Sequence, residues 1–329
     1  MRRRDFIKII GSAAAGWPLA VRAQQPERMR RIGFLWSNFP SDDPEMQARG
    51  AAFAQGLQEL GWSVGRNLRI DHRWGLADVD RLRKSAEELV ALAPDALVAA
   101  GNLAAVALQQ ATRTLPIVFA NVNDPVGAGY VENLARPGGN VTGFMSTEYS
   151  QSGKLLELLK QIAPQVKRVA NLRTVVGGFG ASTFAVLQAA APLLGVDVIP
   201  INMRDTGQIE RAVSDFARDP NGGMILTPAV GADQRGLIIA LAARHRLPAV
   251  YSSRNYVTEG GLIYYGPDVL DLYRRSASYV DRVLRGEKPA DLPVQAPTKY
   301  QVVLNLKTAK SLGLDIPATV YARVDEVIE

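Results

Sequence analysis

Short polar side chains gather just past the apolar runs of this chain. Ser37 and Asn38 follow the first run, Gly101 and Asn102 the third, Asn121, Asn123 and Asp124 the fourth, and Ser146 the fifth. In the second half the corresponding positions hold Thr174, Thr227, Tyr251 with Arg254 just beyond it, and Tyr265. Such a set can hold a small ligand by hydrogen bonds, ring contacts and one charge pair. Helix starts add free N–H groups that donate to a carboxylate. In open α/β sheets ligands bind beyond the carboxyl ends of the strands, so the placement matters as much as the residue types. Taken singly, the Ser, Asn, Asp and Gly among them are better explained as helix caps or turn formers. Their recurrence in both halves favours a ligand site. Arg254 is the expected partner for an acidic ligand, and Phe39, Phe179, Tyr251 and Tyr265 are expected ring surfaces. Tyr264 and Tyr265 point opposite ways in a strand, so at most one of them faces a cleft.

Catalytic chemistry has little support. The chain has two histidines, His72 inside a strand pattern and His245 at a helix end. A Ser-His-acid triad needs its members together at strand ends, and neither histidine is placed there. No His/Asp/Glu cluster has metal-ligand spacing. With zero cysteines there is no disulfide framework, thiolate site, cysteine nucleophile or lipoprotein anchor. The run Gly177-Gly178-Phe179-Gly180 lacks the Lys-Ser/Thr ending of a phosphate loop. The expectation is no catalytic residue, no metal and no cofactor.

The 329 residues suffice for two lobes, and 47% apolar with 21% charged residues is ordinary for a globular chain. The net charge of +6 is unevenly spread: residues 1–23 contribute +4, leaving +2 for residues 24–329. That gives no electrostatic case for nucleic acid. Residues 1–23 read as an export signal, with Arg2, Arg3 and Arg4 before a weakly apolar, Gly/Ala-padded stretch and Ala23 at the cleavage point. Arg3-Arg4-Asp5-Phe6-Ile7-Lys8 matches the twin-arginine pattern.

From residue 30 onward, strand and helix patterns alternate. Strands are expected at 31–36, 68–74, 96–100, 116–120, 141–144, 168–172, 196–201, 224–227, 249–252 and 261–265. Helices are expected over 44–60, 78–92, 103–112, about 148–162, 181–194, 206–218, 232–245 and 268–285. Apolar strands joined by helical connections imply a mainly parallel sheet covered on both faces. Leu115-Pro116-Ile117-Val118-Phe119 is echoed 132 residues later by Leu247-Pro248-Ala249-Val250-Tyr251, each pair following a helix and an apolar strand. This reads as two similar α/β lobes, although any two βαβ units look somewhat alike.

The chain resembles the periplasmic substrate-binding proteins of ABC transporters, in the group with the tryptophan/aromatic-type binding proteins. The resemblance spans nearly the whole chain. It rests on the N-terminal Arg3-Arg4-Asp5-Phe6-Ile7; on Ile32-Gly33-Phe34-Leu35; on Leu60-Gly61-Trp62 with Gly65-Arg66-Asn67; and on Asp124-Pro125-Val126 with Arg136-Pro137-Gly138-Gly139-Asn140. Gly260-Gly261-Leu262, Gly286-Glu287-Lys288-Pro289 and Ser311-Leu312-Gly313-Leu314 complete it. It implies a type I periplasmic-binding-like clamshell: two similar three-layer α/β lobes with mainly parallel sheets joined by a hinge. Carried over by motif, Ser37, Asn38, Gly101, Asn102, Asn123 and Asp124 would line the first wall, and Thr227 and Arg254 the second. Residues 173–180 depart from the Asn-Pro-rich loop of many members, so their ligands do not transfer directly.

The expected organisation is a signal over 1–23, removed after Ala23; a first lobe of 29–145 plus about 262–290; and a second of 146–261 plus about 291–329. The expected role is a periplasmic solute-binding component of an ABC import system. It would be a monomer that captures an amino acid or an aromatic or branched carboxylate and presents it to a membrane permease, without binding nucleic acid. The alternatives are a sensor docking on a membrane receptor and a hydrolase using a cleft serine such as Ser146 or Ser252.

Overall fold

The computed structural model describes residues 28–38, 40–146, 152–173, 181–203, 205–227 and 232–329, with the side chains of 181, 182, 232 and 233 excepted. The expected export signal over 1–23 and Phe39, Thr147, Thr174 and Phe179 lie outside the described residues.

The first lobe is built on five parallel strands, β1 (Arg30–Trp36), β2 (Leu68–Trp74), β3 (Ala96–Ala100), β4 (Ile117–Val122) and β5 (Val141–Met145), in the order β2-β1-β3-β4-β5. Between them run α1 (Pro44–Glu59), α2 (Val79–Ala91) and α3 (Asn102–Ala111). The first two start where the sequence supplies a cap. Asp43 accepts from Glu45 N and Met46 N with Pro44 in the first turn, and Asp78 accepts from Arg81 N. The alternation of β1 divides two cores. Ile32, Phe34 and Trp36 face one side with Phe53 and Leu57 of α1, while Leu35 faces the other with Leu82 and Leu89 of α2.

The second lobe repeats the plan. Its strands are β6 (Arg168–Arg173), β7 (Asp197–Asn202), β8 (Gly222–Leu226), β9 (Ala249–Tyr251), β10 (Ile263–Pro267), β11 (Tyr300–Asn305) and β12 (Glu326–Ile328). They are ordered β12-β11-β10-β9-β8-β6-β7, and only the β10–β11 pairing is antiparallel. The segment β7-β6-β8-β9-β10 reproduces the order of the first sheet, and the two Leu-Pro echoes lead into β4 and β9, the fourth strand of each. Helices α4 (Ser152–Ile162), α5 (Ala181–Ala190), α6 (Thr206–Phe216), α7 (Ala232–Arg244) and the short α8 (Arg254–Thr258) cover it.

The chain then crosses back. Helix α9 (Val269–Leu284) packs on α1 of the first lobe, where Gly56 lets the helices approach: a Cβ there would lie 2.5 Å from Arg274 O. Residues 292–295 run beside β5, with Gln295 N donating to Gly143 O and Met145 N to Gln295 O, both at 2.9 Å. Strand β11 then re-enters the second sheet, followed by α10 (Leu306–Ser311) and α11 (Ala318–Tyr321).

Two lobe boundaries differ from the expectation. Strand β10 belongs to the second sheet, so 262–267 is not part of the first lobe. Leu292 and Val294 are buried in the first-lobe cores, so that part of the tail is not in the second. Apolar patterning identifies a strand but not which of two sheets it joins. Strands β11 and β12 were not foreseen.

Candidate functional site

The carboxyl edge of the first sheet holds a small, solvent-open hollow lined by Trp36, Ser37, Asn38, Met46, Arg49, Ala100, Gly101, Asn121 and Tyr273. Its floor is aromatic. Trp36 stacks on Trp74 at 4.9 Å and on Tyr273 at 5.7 Å, with Phe34 behind it at 4.3 Å. Trp36 Nε1 donates to His72 Nδ1 at 3.1 Å, which fixes the indole in its plane. His72 is exposed at its outer edge, but the desolvation of the ring side held against Trp36 and Phe34 keeps its imidazole below the ordinary value, while full burial pushes the Tyr273 phenol above its own.

Arg49 stands over this floor, its guanidinium carbon 5.8 Å from the Tyr273 ring centroid. Its side chain is 12% exposed and pairs with Glu45, one helical turn earlier. Its Nε is buried without a partner. Burial disfavours the charge, but Tyr273 and Glu45 more than offset it and raise the pKa above the ordinary value. Asn121 enters from β4 by a local irregularity. It sits at the register shift between Ala120 and Val122 with φ 60, a left-handed conformation that asparagine tolerates better than most residues.

The expected site residues divide into several groups. Ser37, Asn38, Gly101 and Asn121 line the pocket. Ser37, however, is committed to the fold: Oγ donates to Ala100 O at 2.6 Å and accepts from Ala104 N at 2.9 Å. It thereby caps α3, whose own cap position is Gly101 at φ 91 with no side chain to offer. Asn102, Asn123 and Ser146 form a network next to the pocket. Asn102 Nδ2 donates to Asn123 O at 2.8 Å, Asn123 N donates to Asn102 Oδ1 at 3.0 Å, and Ser146 Oγ donates to Asn123 Oδ1. Asp124 closes its own turn by accepting from Gly127 N at 2.8 Å. Thr227 is buried and donates to Leu172 O at 3.2 Å. Thr174 lies outside the described residues.

Three residues are placed away from the pocket. Tyr251 is fully buried in the second-lobe core, stacked on Tyr256 at 4.9 Å, and burial raises its pKa. Tyr265 stacks on Tyr300 at 5.6 Å on the face of β10 toward α4. It is Tyr264 that turns toward Glu45 and Arg49, its pKa raised first by burial and then by Glu45. Arg254 pairs with Glu326 of β12 instead of facing the pocket.

Trp36, Met46, Arg49, Ala100 and Tyr273 were not among the expected residues. Met46 and Arg49 carry a usable signal, since i and i+3 share one face of the helix that follows the first strand-end loop. Tyr273 carries none, because it arrives from more than 200 residues away.

No described serine at a strand end meets a histidine. His72 serves Trp36, and His245 lies 3.3 Å from Ser214 on α6. Among the described residues no group of three His, Cys, Asp or Glu could hold a metal ion, and no helix is long and apolar enough to cross a membrane.

The profile of ABC transporter substrate binding proteins matches residues 40–328. The chain belongs to this family. Substrate-binding proteins of this family are binding proteins, not enzymes, that take up small-molecule solutes and deliver them to ABC permeases. The chain is 24% identical over 273 residues to a tyrosine-binding protein of Clostridioides difficile (strain R20291), covering 83% of this chain and 79% of that one. It superposes with a TM-score of 0.83 on an ABC domain in complex with L-Trp from Streptococcus pneumonia, at 27% identity, covering 91% of this chain and 99% of that one. A conserved domain protein from Vibrio cholerae O1 biovar eltor gives a TM-score of 0.81 at 27% identity, covering 91% of this chain and 100% of that one. The two-lobed periplasmic-binding architecture of this substrate-binding protein agrees with the expected fold class.

Proposed function

We propose that this chain is the periplasmic solute-binding component of an ABC import system, exported by its N-terminal signal, cleaved after Ala23 and acting as a monomer. Its solute is a small organic carboxylate with a flat apolar body, an amino acid or an aromatic acid, held in the cleft between the lobes. The observation that carries this reading is Arg49 poised over the Trp36–Tyr273 floor with a buried, unpartnered Nε. Trp36 and Tyr273, each 1% exposed, form an apolar base beneath the hollow, the guanidinium takes a carboxylate, and the Asn121 amide offers both a donor and an acceptor. The tyrosine-binding relative and the L-Trp complex support the same solute class. The Asn102–Asn123–Ser146 network stiffens the wall behind the pocket.

The test is a thermal-shift screen of residues 24–329 against amino acids, aromatic carboxylates, fatty acids and sugars, with mass spectrometry of the denatured protein to detect a solute retained through purification. A ligand at 100 times its Kd adds about 2.7 kcal/mol to the folded state. A selective shift with a carboxylate-bearing ring compound is expected. A shift with sugars alone would overturn the solute class.

A further inference from the structure

Glu45 divides its two carboxylate oxygens between the lobes. Oε1 accepts from Arg49 Nη2, in the solute pocket of the first lobe, and Oε2 accepts from Asn255 Nδ2, on α8 of the second. Both ends are anchored. Glu45 lies in the first turn of α1, whose start is fixed by the Asp43 cap, and Arg49 is largely buried four residues on. The two residues after Asn255, Tyr256 and Val257, are buried in the second-lobe core, so the amide cannot follow Glu45 if the lobes part. Tyr264 of β10, buried in the second-lobe core, donates its phenol to Pro267 O at 2.8 Å. The segments that cross between the lobes near 268 and 299 are tied to each other, with Asp268 N donating to Lys299 O at 2.9 Å.

We propose that Glu45 is a latch between the lobes: a carboxylate seated on the pocket arginine that captures Asn255 and biases the empty protein toward approached lobes. Because the latch uses the guanidinium assigned to the solute, it rests on the reading of the pocket given above. It also goes beyond that reading, since it makes lobe approach a property of the empty protein. A hydrogen bond to a charged group whose loss leaves both partners to water changes a two-state population by about tenfold.

The experiment exploits the lack of cysteine in the chain. Val79→Cys on the first lobe and Leu193→Cys on the second, both highly exposed, carry spin labels for distance measurement by pulsed electron resonance on solute-free protein. Asn255→Asp sets two carboxylates against each other and is expected to lower the short-distance population about tenfold, with an unchanged melting midpoint as the check on folding. Combining N255D with E45Q restores an amide–carboxylate pair in the opposite sense and is expected to recover the short distances. Distributions for N255D that superpose on the parent would overturn the latch, and so would an opening that E45Q does not reverse. Either result leaves the solute screen untouched, and a failed screen leaves the distance result standing.

Discussion

Arg254 Nη2 lies 2.5 and 2.7 Å from the two carboxylate oxygens of Glu326, so the arginine one residue before the interlobe contact is spoken for by the C-terminal strand of its own lobe. Both side chains are 44% exposed, and a pair so open to water contributes at most about 1 kcal/mol. Arg254→Ala is therefore expected to leave solute affinity within twofold and to lower the melting midpoint only slightly. A tenfold loss of affinity in titration calorimetry would return Arg254 to the site.

Arg49 should behave in the opposite way. Removing a buried guanidinium that meets a carboxylate costs about 1.5–3 kcal/mol, or at least tenfold in Kd. Arg49→Ala should lose that affinity for an acidic solute, and Arg49→Lys should recover part of it, since the charge returns without the planar fork. Equal affinities for parent and R49A would remove Arg49 from the site.

Ser37 should register in stability before it registers in binding. It caps α3 across the sheet, and loss of a cap costs about 1 kcal/mol. Ser37→Ala should lower the urea midpoint with an unchanged m-value. An unaltered midpoint would mean that the α3 start is satisfied some other way.

The Trp36–His72 bond predicts a pH effect. Nδ1 of His72 accepts from the indole and can do so only when that nitrogen carries no proton. With the folded pKa below the ordinary value of about 6.5, the unfolded chain binds the proton first. The His72 contribution to stability is thus complete above about pH 6.5 and declines as the pH falls through that value toward the lower folded pKa. Melting midpoints from pH 8 to pH 5 should fall more steeply for the parent than for His72→Gln. Parallel curves would contradict the assignment.

Gly56 gives a packing prediction. A methyl there meets Arg274 O at 2.5 Å and Ala277 Cβ at 2.9 Å, so α9 must move off α1. Overpacking of this kind costs about 1–3 kcal/mol. Gly56→Ala should melt lower by several degrees. A melt matching the parent would show that the two helices separate at little cost.

Much of the fold was legible because its cause is local. Unbroken apolar runs such as Ala96–Ala100 must be buried strands, and Asp43-Pro44 and Asp78 announce helix starts. The repeated Leu-Pro step revealed a duplicated plan. The candidate site was legible only in part. Ser37, Asn38, Gly101 and Asn121 line one hollow, as expected of strand ends that converge on one edge of a parallel sheet. Arg254, Tyr251 and Tyr265 were misplaced because type and position along the chain do not say which face a side chain takes or which partner reaches it first.

What the sequence by itself determined is the alternation of strand and helix, the two-lobe class and the gathering of polar strand ends at one edge of the first sheet, since these follow from periodicity, caps and chain direction. Only the tertiary structure decided that β10 joins the second sheet, that α9 returns to bring Tyr273 beneath Arg49, and that Glu45 is shared with Asn255. Those contacts join residues up to about two hundred positions apart, and no local propensity encodes them. They arise because buried apolar faces and ionic groups must each find a partner in three dimensions.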